Sequence, residues 1–180
     1  MIKTNIQKYM IALFAMGVLL SCEKDFSMWK EKNEAWLKNN KTELLDKYGD
    51  FVSTFNSGDC GITASGVQYE IFHRGFGGIP KVGSLVMVNY DYYLIDGTRI
   101  EYYTSDLEAK GVYELPRGVQ EIVCLMPQGS SFKIYVPYGL GYGKDGNGNE
   151  GNLTNSYHIP PYSTMIIEME IVDVLQYPPY

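Results

Sequence analysis

This sequence of 180 residues contains no convincing Ser-His-Asp or Cys-His set for nucleophilic catalysis. Its only histidines, His73 and His158, are far apart in the chain, and a metal site would need the fold to bring them together. The run Asp145-Gly146-Asn147-Gly148-Asn149 imitates the start of a calcium loop, but Glu150 occupies the glycine position and Ser156 that of the bidentate glutamate. The run therefore predicts a flexible flap, and we expect neither a metal nor a cofactor.

The most specific chemical signal lies near the N-terminus. Two lysines precede an uncharged run over residues 9–20, which is too short to span a membrane. The run ends in Leu19-Leu20-Ser21-Cys22, which resembles the lipobox of bacterial lipoproteins, where the cysteine receives acyl chains. We expect residues 1–21 to be a signal peptide and Cys22 to be lipidated; an ordinary cleaved signal and an uncleaved anchor are the alternatives.

The predicted anchor also implies the compartment of the protein and changes the net charge of the mature chain. It places the protein in the cell envelope of a Gram-negative-type bacterium, on the outer membrane, with the periplasmic or surface side left open. The formal net charge is −6, and without the two signal lysines it becomes −8, from 13 basic and 21 acidic residues. An acidic surface of this kind excludes nucleic acid as a partner. Cys60, in a predicted loop, and Cys124 could pair in this compartment, although two unpaired thiols are the stronger expectation.

The remaining chain is divided here into two parts. Residues 22–61 are interpreted as a lipid-anchor linker and an N-terminal helix, and residues 62–180 as one folded domain. Trp29, Trp36 and Leu44 recur at helical spacing and predict a helix over 26–48. Two roles are open for this helix, which either makes a dimer or spacer or packs its tryptophans on the domain.

From residue 66 onwards the pattern changes to short strands with alternating apolar residues. Strands are predicted around 67–71, 86–94, 132–136 and 164–175, and a single helix over 118–127. The last strand is apolar on both faces, which is typical of a central strand. A sheet of four or five strands with one helix laid across it is an α+β fold.

Four segments, in this order, match the pattern of one family. They are Gly66-Val67-Gln68-Tyr69; Val86-Met87-Val88-Asn89-Tyr90 with Asp96-Gly97-Thr98; Met126-Pro127-Gln128-Gly129; and Tyr142-Gly143 with Ile159-Pro160-Pro161-Tyr162-Ser163-Thr164. Together they resemble the FKBP-type peptidyl-prolyl isomerases over roughly residues 62–176. The resemblance implies a curved antiparallel sheet wrapped on one short helix, with a binding pocket between them.

The resemblance also implies which residues form the pocket. It assigns catalytic roles to Tyr90, Glu101 and Tyr142, with the Tyr142 hydroxyl donating to a substrate carbonyl. Glu101 stands where the family usually has aspartate. The implied substrate-binding residues are Ile100, Tyr113, Leu115, Val119, Ile159 and Ile167.

Several of these positions depart from the family pattern. Ile100 and Ile167 replace phenylalanines, Val119 replaces the tryptophan of the pocket floor, and Tyr113 stands for a phenylalanine of the wall. Leu115-Pro116 falls where the family carries a Val-Ile pair whose main-chain N–H binds the ligand, and proline has no N–H. The pocket is therefore expected to be apolar but poorer in aromatic residues and hydrogen-bond donors.

The expected function is an envelope isomerase or chaperone that acts on proline-containing segments of exported proteins. The alternatives are a non-catalytic FKBP-like lipoprotein that binds peptide or protein, and a glycan-binding accessory lipoprotein. The expected partners are these segments and, through lipid at Cys22, the membrane. A dimer through the N-terminal helix stays open.

Overall fold

The computed structural model describes residues 25–52, 54–148 and 158–176, and of residues 101–106 and 176 the backbone only. It has two α-helices, α1 (Ser27–Tyr48) and α2 (Arg117–Val123). Its six strands are β1 (Cys60–Ile62), β2 (Gln68–His73), β3 (Leu85–Tyr93), β4 (Arg99–Gly111), β5 (Ser131–Val136) and β6 (Met165–Gln176). Short 3₁₀ turns at Val112–Glu114 and Tyr138–Leu140 follow β4 and β5.

The strands form a single antiparallel sheet in the order β1-β2-β5-β6-β3-β4. The prediction of an α+β fold with an antiparallel sheet, one short helix and a preceding N-terminal helix is confirmed. The last strand, β6, is central as predicted, since it pairs with both β5 and β3. Two details were wrong. The described sheet has six strands rather than four or five, and Cys60 lies in β1 rather than in a loop.

The main core lies between the inner face of the sheet and α2. In β3 every second residue from Val86 to Tyr92 is buried, as the period of a half-buried strand requires. On α2, Val119, Ile122 and Val123 are fully buried in the same cluster. Gly118 permits the close approach of α2 to the sheet, because a Cβ there would lie 2.6 Å from Cγ1 of Val136. The helix ends earlier than predicted, at Val123.

The opposite, outer face of the sheet carries α1. Its Leu44 is buried with Cys60 and Tyr135, and Trp36 packs beside them with its ring 5.8 Å from that of Tyr135. Buried amides fix the helix further, since Asn40 Nδ2 donates to Gln68 Oε1 at 2.8 Å. The structure therefore shows α1 packed on the sheet, which is the second of the two roles considered for it.

Two further observations concern the N-terminal region and the cysteines. Cys60 and Cys124 are both free thiols. Within residues 25–52, 54–148 and 158–176, no helix has the length and apolar character needed to span a membrane. The predicted signal peptide and Cys22 lie outside the described residues.

Candidate functional site

A cavity of about 700 Å³ opens where β3, β4 and the two 3₁₀ turns meet. The inner face of β3 supplies its base, the end of β4 and the following turn supply one side, and the segment after β5 supplies the other. The lining residues are Tyr90, Tyr92, Glu108, Ala109, Lys110, Glu114, Leu115, Pro116, Gly141 and Tyr142. Three predicted site residues, Tyr90, Leu115 and Tyr142, thus come together around one cavity.

Tyr90 and Glu108, which both line this cavity, are joined by a hydrogen bond. Tyr90 is 6% exposed on the inner face of β3, and its hydroxyl donates a short hydrogen bond to Oε2 of Glu108. Lys110 Nζ donates to the other carboxylate oxygen at 3.0 Å. The hydrogen bond from Tyr90, supported by Lys110 and opposed by partial burial, lowers the pKa of Glu108. The carboxylate is therefore held in its charged form.

An irregularity in β4 brings Glu108 to this position. Val88 pairs with Glu108 but Tyr90 pairs with Ser105, so β4 takes three residues over the span in which β3 takes two. This is a β-bulge, which re-aims a side chain relative to the regular ladder. The carboxylate opposite Val88 consequently reaches the hydroxyl of Tyr90.

Tyr142 lines the same cavity from the segment after β5. It follows the 3₁₀ turn at Tyr138–Leu140 and packs, partly buried, against the main core. The chain is held there by a hydrogen bond from Gly143 N to Tyr138 O at 2.8 Å. Two tyrosines therefore present their phenol groups to one cavity from β3 and from the segment after β5.

The Leu115-Pro116 segment lines the cavity but offers no free main-chain donor there. Leu115 N donates to Val112 O at 3.1 Å, inside the 3₁₀ turn, and Pro116 has no N–H. The family's Val-Ile pair would bind a ligand through an N–H at this place. The expectation that one ligand contact is missing here stays a prediction.

Four of the predicted substrate-binding residues lie in the closed core instead of on the cavity surface. Ile100, Val119, Ile159 and Ile167 are each 0% exposed and belong to the main core cluster. They do not line the cavity in the described part of the chain. In this conformation they can shape the wall only from behind.

Tyr113 lies elsewhere again, with 65% of its surface exposed. Its ring covers Gly111, where an added Cβ would lie 2.5 Å from Cε1 of the ring. Of Glu101 the structure gives only a backbone position in β4, and its side chain lies outside the described residues. The assignment of these residues to a site stays a prediction.

The segment before β6 is held by the glycine- and asparagine-rich run. Asn147 Oδ1 accepts the N–H of Ile159 at 3.1 Å, and Asn147 N donates to Ile159 O at 3.2 Å. Asn147, in the described part of the predicted flap, therefore holds the main chain of Ile159 through two hydrogen bonds. Glu150 and Ser156 of the calcium-loop comparison lie outside the described residues. Among the described residues no cluster of three or more His, Cys, Asp or Glu could hold a metal ion.

Sequence reasoning missed the charged residues Glu108, Lys110 and Glu114. The available signal was the Asp96-Gly97 pair, because an Asp-Gly turn is typical of a hairpin and could have indicated a strand that returns beside β3 with its charged residues near Tyr90. The bulge that selects Glu108 has no comparable signal in the sequence. Chemically, the site holds phenol donors, carboxylate acceptors and an apolar wall, which suits binding of a peptide segment.

Comparisons with known proteins point to one family. Residues 77–172, just over half of the chain, match the sequence profile described as FKBP-type peptidyl-prolyl cis-trans isomerase. The FKBP-type 22 kDa peptidyl-prolyl cis-trans isomerase of Escherichia coli K12 is 34% identical over 118 residues, covering 63% of this chain and 52% of that protein. The outer membrane protein MIP of Legionella longbeachae is 30% identical over 141 residues, covering 76% of this chain and 57% of that protein.

Among solved structures, that of FkpA from Escherichia coli matches with a TM-score of 0.68 at 23% identity. The match covers 95% of this chain and 72% of that one, and it supports the fold alone. The chain spans about half the length of the curated relatives it matches.

Proposed function

Since this chain belongs to the FKBP-type peptidyl-prolyl cis-trans isomerase family, we propose that it catalyses rotation about X-Pro peptide bonds. The observation that carries the proposal is the cavity of about 700 Å³ that both Tyr90 and Tyr142 line. The matched relatives carry isomerase names, which favours catalysis over the binding-only alternatives.

The reaction requires no nucleophile and no metal. Amide resonance creates a barrier of about 18–20 kcal/mol, and unaided X-Pro isomerisation takes tens to hundreds of seconds. The twisted amide at the top of this barrier has lost its conjugation. A partly dry pocket that holds the flanking carbonyls can favour that state over the planar one.

The residues are proposed to divide this work as follows. Tyr142 donates a hydrogen bond to a substrate carbonyl, and Tyr90, oriented by Glu108, forms the base of the pocket. Leu115 supplies an apolar wall. Glu101 is proposed to support the twisted amide. The remaining residues, Ile100, Tyr113, Val119, Ile159 and Ile167, are proposed to shape the substrate site, which for the four buried ones requires a small opening of the core.

The missing donor at Leu115-Pro116 predicts a slow enzyme. Removing one well-placed donor costs roughly 3 kcal/mol at other active sites, or about a hundredfold in rate. We therefore expect measurable isomerisation that is weak for this family.

A proline-isomerisation assay on the full chain, purified in detergent, tests the proposal with a Leu-Pro and an Ala-Pro peptide. Tyr142→Phe and Glu101→Ala should each lower the rate without unfolding the protein. Tyr138→Phe is the matched control, because Tyr138 lies in the preceding turn and stacks edge-on with Tyr162 outside the cavity. A rate no faster than buffer overturns the enzyme proposal, and equal rates in Tyr142→Phe and wild type show that the pocket is misplaced.

We further propose that the protein acts in the cell envelope on proline-containing segments of exported proteins. The name of the Legionella relative, an outer membrane protein, supports this compartment. Lipidation of Cys22 after removal of residues 1–21 would hold the domain on the outer membrane. A change of Cys22 to serine should move the protein from the membrane to the soluble fraction, and mass spectrometry of the N-terminal peptide should show the loss of the acyl chains.

A further inference from the structure

The cavity carries more charge than the apolar pocket that the sequence predicted. Three of its ten lining residues, Glu108, Lys110 and Glu114, have charged side chains. The three side chains differ in their partners: Glu108 and Lys110 form an ion pair with each other, whereas Glu114 accepts a hydrogen bond from the main chain.

Glu108 and Lys110 largely neutralise each other. Each oxygen of Glu108 has a donor, Tyr90 on one side and Lys110 on the other. Their charges cancel over a distance of 3.0 Å. The pair therefore contributes little net field to the cavity.

Glu114 is the remaining charge. It is exposed, and among the described residues the one hydrogen bond found to its carboxylate is that from the main-chain N–H of Gly111 to Oε2, at 2.9 Å. None of the ion pairs found among the described residues includes Glu114. The described charged residues that line the cavity thus sum to one negative charge, located at Glu114.

The main chain next to Glu114 also favours a substrate group that donates hydrogen bonds or is positively charged. Leu115 and Pro116, which follow Glu114 along the cavity, present no free N–H to a substrate carbonyl. Along Leu115-Pro116 the main chain therefore offers no hydrogen-bond donor, while the Glu114 carboxylate is an acceptor. A substrate gains more there by bringing a donor or a cation than by bringing an acceptor.

We propose that Glu114 makes the enzyme select prolines adjacent to lysine or arginine. This inference rests on the proposed isomerase function and names its substrate class. An exposed ion pair changes an equilibrium by at most about fivefold, because water and salt screen it. We expect a two- to fivefold preference for a basic over a neutral neighbour of the proline, and a similar penalty for an acidic one.

The test uses the full chain in detergent and peptides that differ only in a lysine, leucine or glutamate beside the proline, placed before it in one set and after it in another. Isomerisation rates give kcat/KM, and titrations of the peptides into the protein give Kd independently of turnover. Glu114→Gln keeps an oxygen to accept the Gly111 N–H and removes the charge. Glu43→Gln, on the exposed side of α1, makes the same change in net charge away from the cavity.

The proposal expects Glu114→Gln to abolish the lysine preference, Glu43→Gln to keep it, and higher salt to weaken it in the wild type. Glu114→Lys should reverse the preference toward glutamate. Equal Kd values for the three peptides, or a preference that survives in Glu114→Gln, would overturn it. A charge preference in Kd without any turnover supports this inference and overturns the isomerase proposal, whereas turnover without a charge preference does the reverse.

Discussion

At the scale of single residues, the Tyr90 hydroxyl is the group whose environment is most closely defined. It donates to a carboxylate that Lys110 also holds, and these contacts lower the pKa of Glu108. A hydrogen bond to a charged group is stronger than one between neutral groups. The contact therefore ties β3 to β4 at the cavity and fixes the direction of the Tyr90 hydroxyl.

Tyr90→Phe is expected to lower the free energy of unfolding by about 1 kcal/mol at neutral pH, a value reduced for the partial exposure of Glu108. Because the folded-state pKa of Glu108 is lowered, this stabilisation is present above the unfolded value of 4.5 and is lost as pH falls through the folded pKa. Urea unfolding at several pH values and a carboxyl ¹³C titration of Glu108 measure both effects. A pKa of Glu108 that is the same in Tyr90→Phe and wild type would contradict the assignment.

Glu70 is a buried carboxylate on the outer face with three donors. Lys47 Nζ lies 2.6 Å and Tyr48 Oη 2.7 Å from its Oε2, and the Tyr135 hydroxyl donates to Oε1. Burial raises the pKa of Glu70, but the donors outweigh burial and the net shift is downward. Burial, followed by the hydrogen bond to Glu70, raises the pKa of Tyr135. The charge on Glu70 thus helps to fasten α1 to β2 and β5.

Glu70→Gln should cost about 1–3 kcal/mol at pH 7, since Tyr48 and Tyr135 donate to different oxygens of Glu70. An amide keeps an acceptor for only one of them and loses the charge that Lys47 pairs with. The lowered pKa makes the stabilisation complete above pH 4.5, and it fades as pH falls through the folded pKa. Glu170→Gln, on an exposed carboxylate of β6 that accepts a hydrogen bond from Asn89, is the matched control and should cost less than about 0.5 kcal/mol. Equal losses in the two variants at pH 7 would refute the role of Glu70.

Only some of the residues that line the cavity could be predicted from the sequence. Tyr90 and Tyr142 could be placed because their segments match the family pattern, whereas Tyr92, which also lines the cavity, was not predicted. Glu108 could not, because its position depends on the bulge between Val88 and Tyr90, which is set by pairing across β3 and β4. The burial of Ile100 and Ile167 likewise follows from packing among several strands, which no local pattern specifies.

At the scale of elements, the strands that the sequence failed to indicate are the two edge strands, β1 and β4. A central strand such as β6 buries side chains on both faces and so has a strong apolar pattern. An edge strand has one partner and carries charged residues that discourage further pairing, as β4 does with Glu108 and Lys110. Its position depends on the neighbour it pairs with rather than on its own sequence.

The run at 141–148 supports the segment before β6 through a close approach that only glycine permits. Gly146 has φ +65°, and a Cβ there would collide with the carbonyl oxygen of Ile159. Gly148 has φ +71° but open space around it. An alanine at either position would therefore be strained by the positive φ, but only at position 146 would its Cβ also collide with a neighbouring atom.

Gly146→Ala is expected to destabilise the protein by at least about 1 kcal/mol more than Gly148→Ala, because overpacking adds to the strain of a positive φ. It should also slow isomerisation if Ile159 shapes the substrate site. Thermal unfolding and the peptide assay on the two variants measure these differences. Equal melting temperatures would show that the Ile159 carbonyl does not lie where the structure places it.

At the scale of the whole molecule, α1 joins parts of the chain that are far apart in sequence. Trp29 Nε1 donates to Ser163 Oγ at 3.0 Å, and that hydroxyl donates to Pro160 O at 2.7 Å. Asn33 Oδ1 accepts the buried N–H of Thr164 at 2.7 Å. The helix thus holds the segment that follows Ile159-Pro160-Pro161 by hydrogen bonds, in addition to packing on the outer face of the sheet. These contacts cross the boundary that the sequence suggested between residues 61 and 62.

Both tryptophans of the chain lie in α1, so tryptophan emission reports the docking of this helix separately from the sheet. Buried contacts at both ends of the helix predict one cooperative transition, in which emission and far-ultraviolet circular dichroism give the same urea midpoint. Trp29→Phe and Trp36→Phe leave one reporter each and should also give coincident midpoints, although Trp29→Phe lowers stability by about 1 kcal/mol through the lost hydrogen bond to Ser163. An emission change that precedes the loss of sheet structure would instead mean that α1 is a separate module, and its hydrogen bonds to the segment that follows Ile159-Pro160-Pro161 could then not position the site.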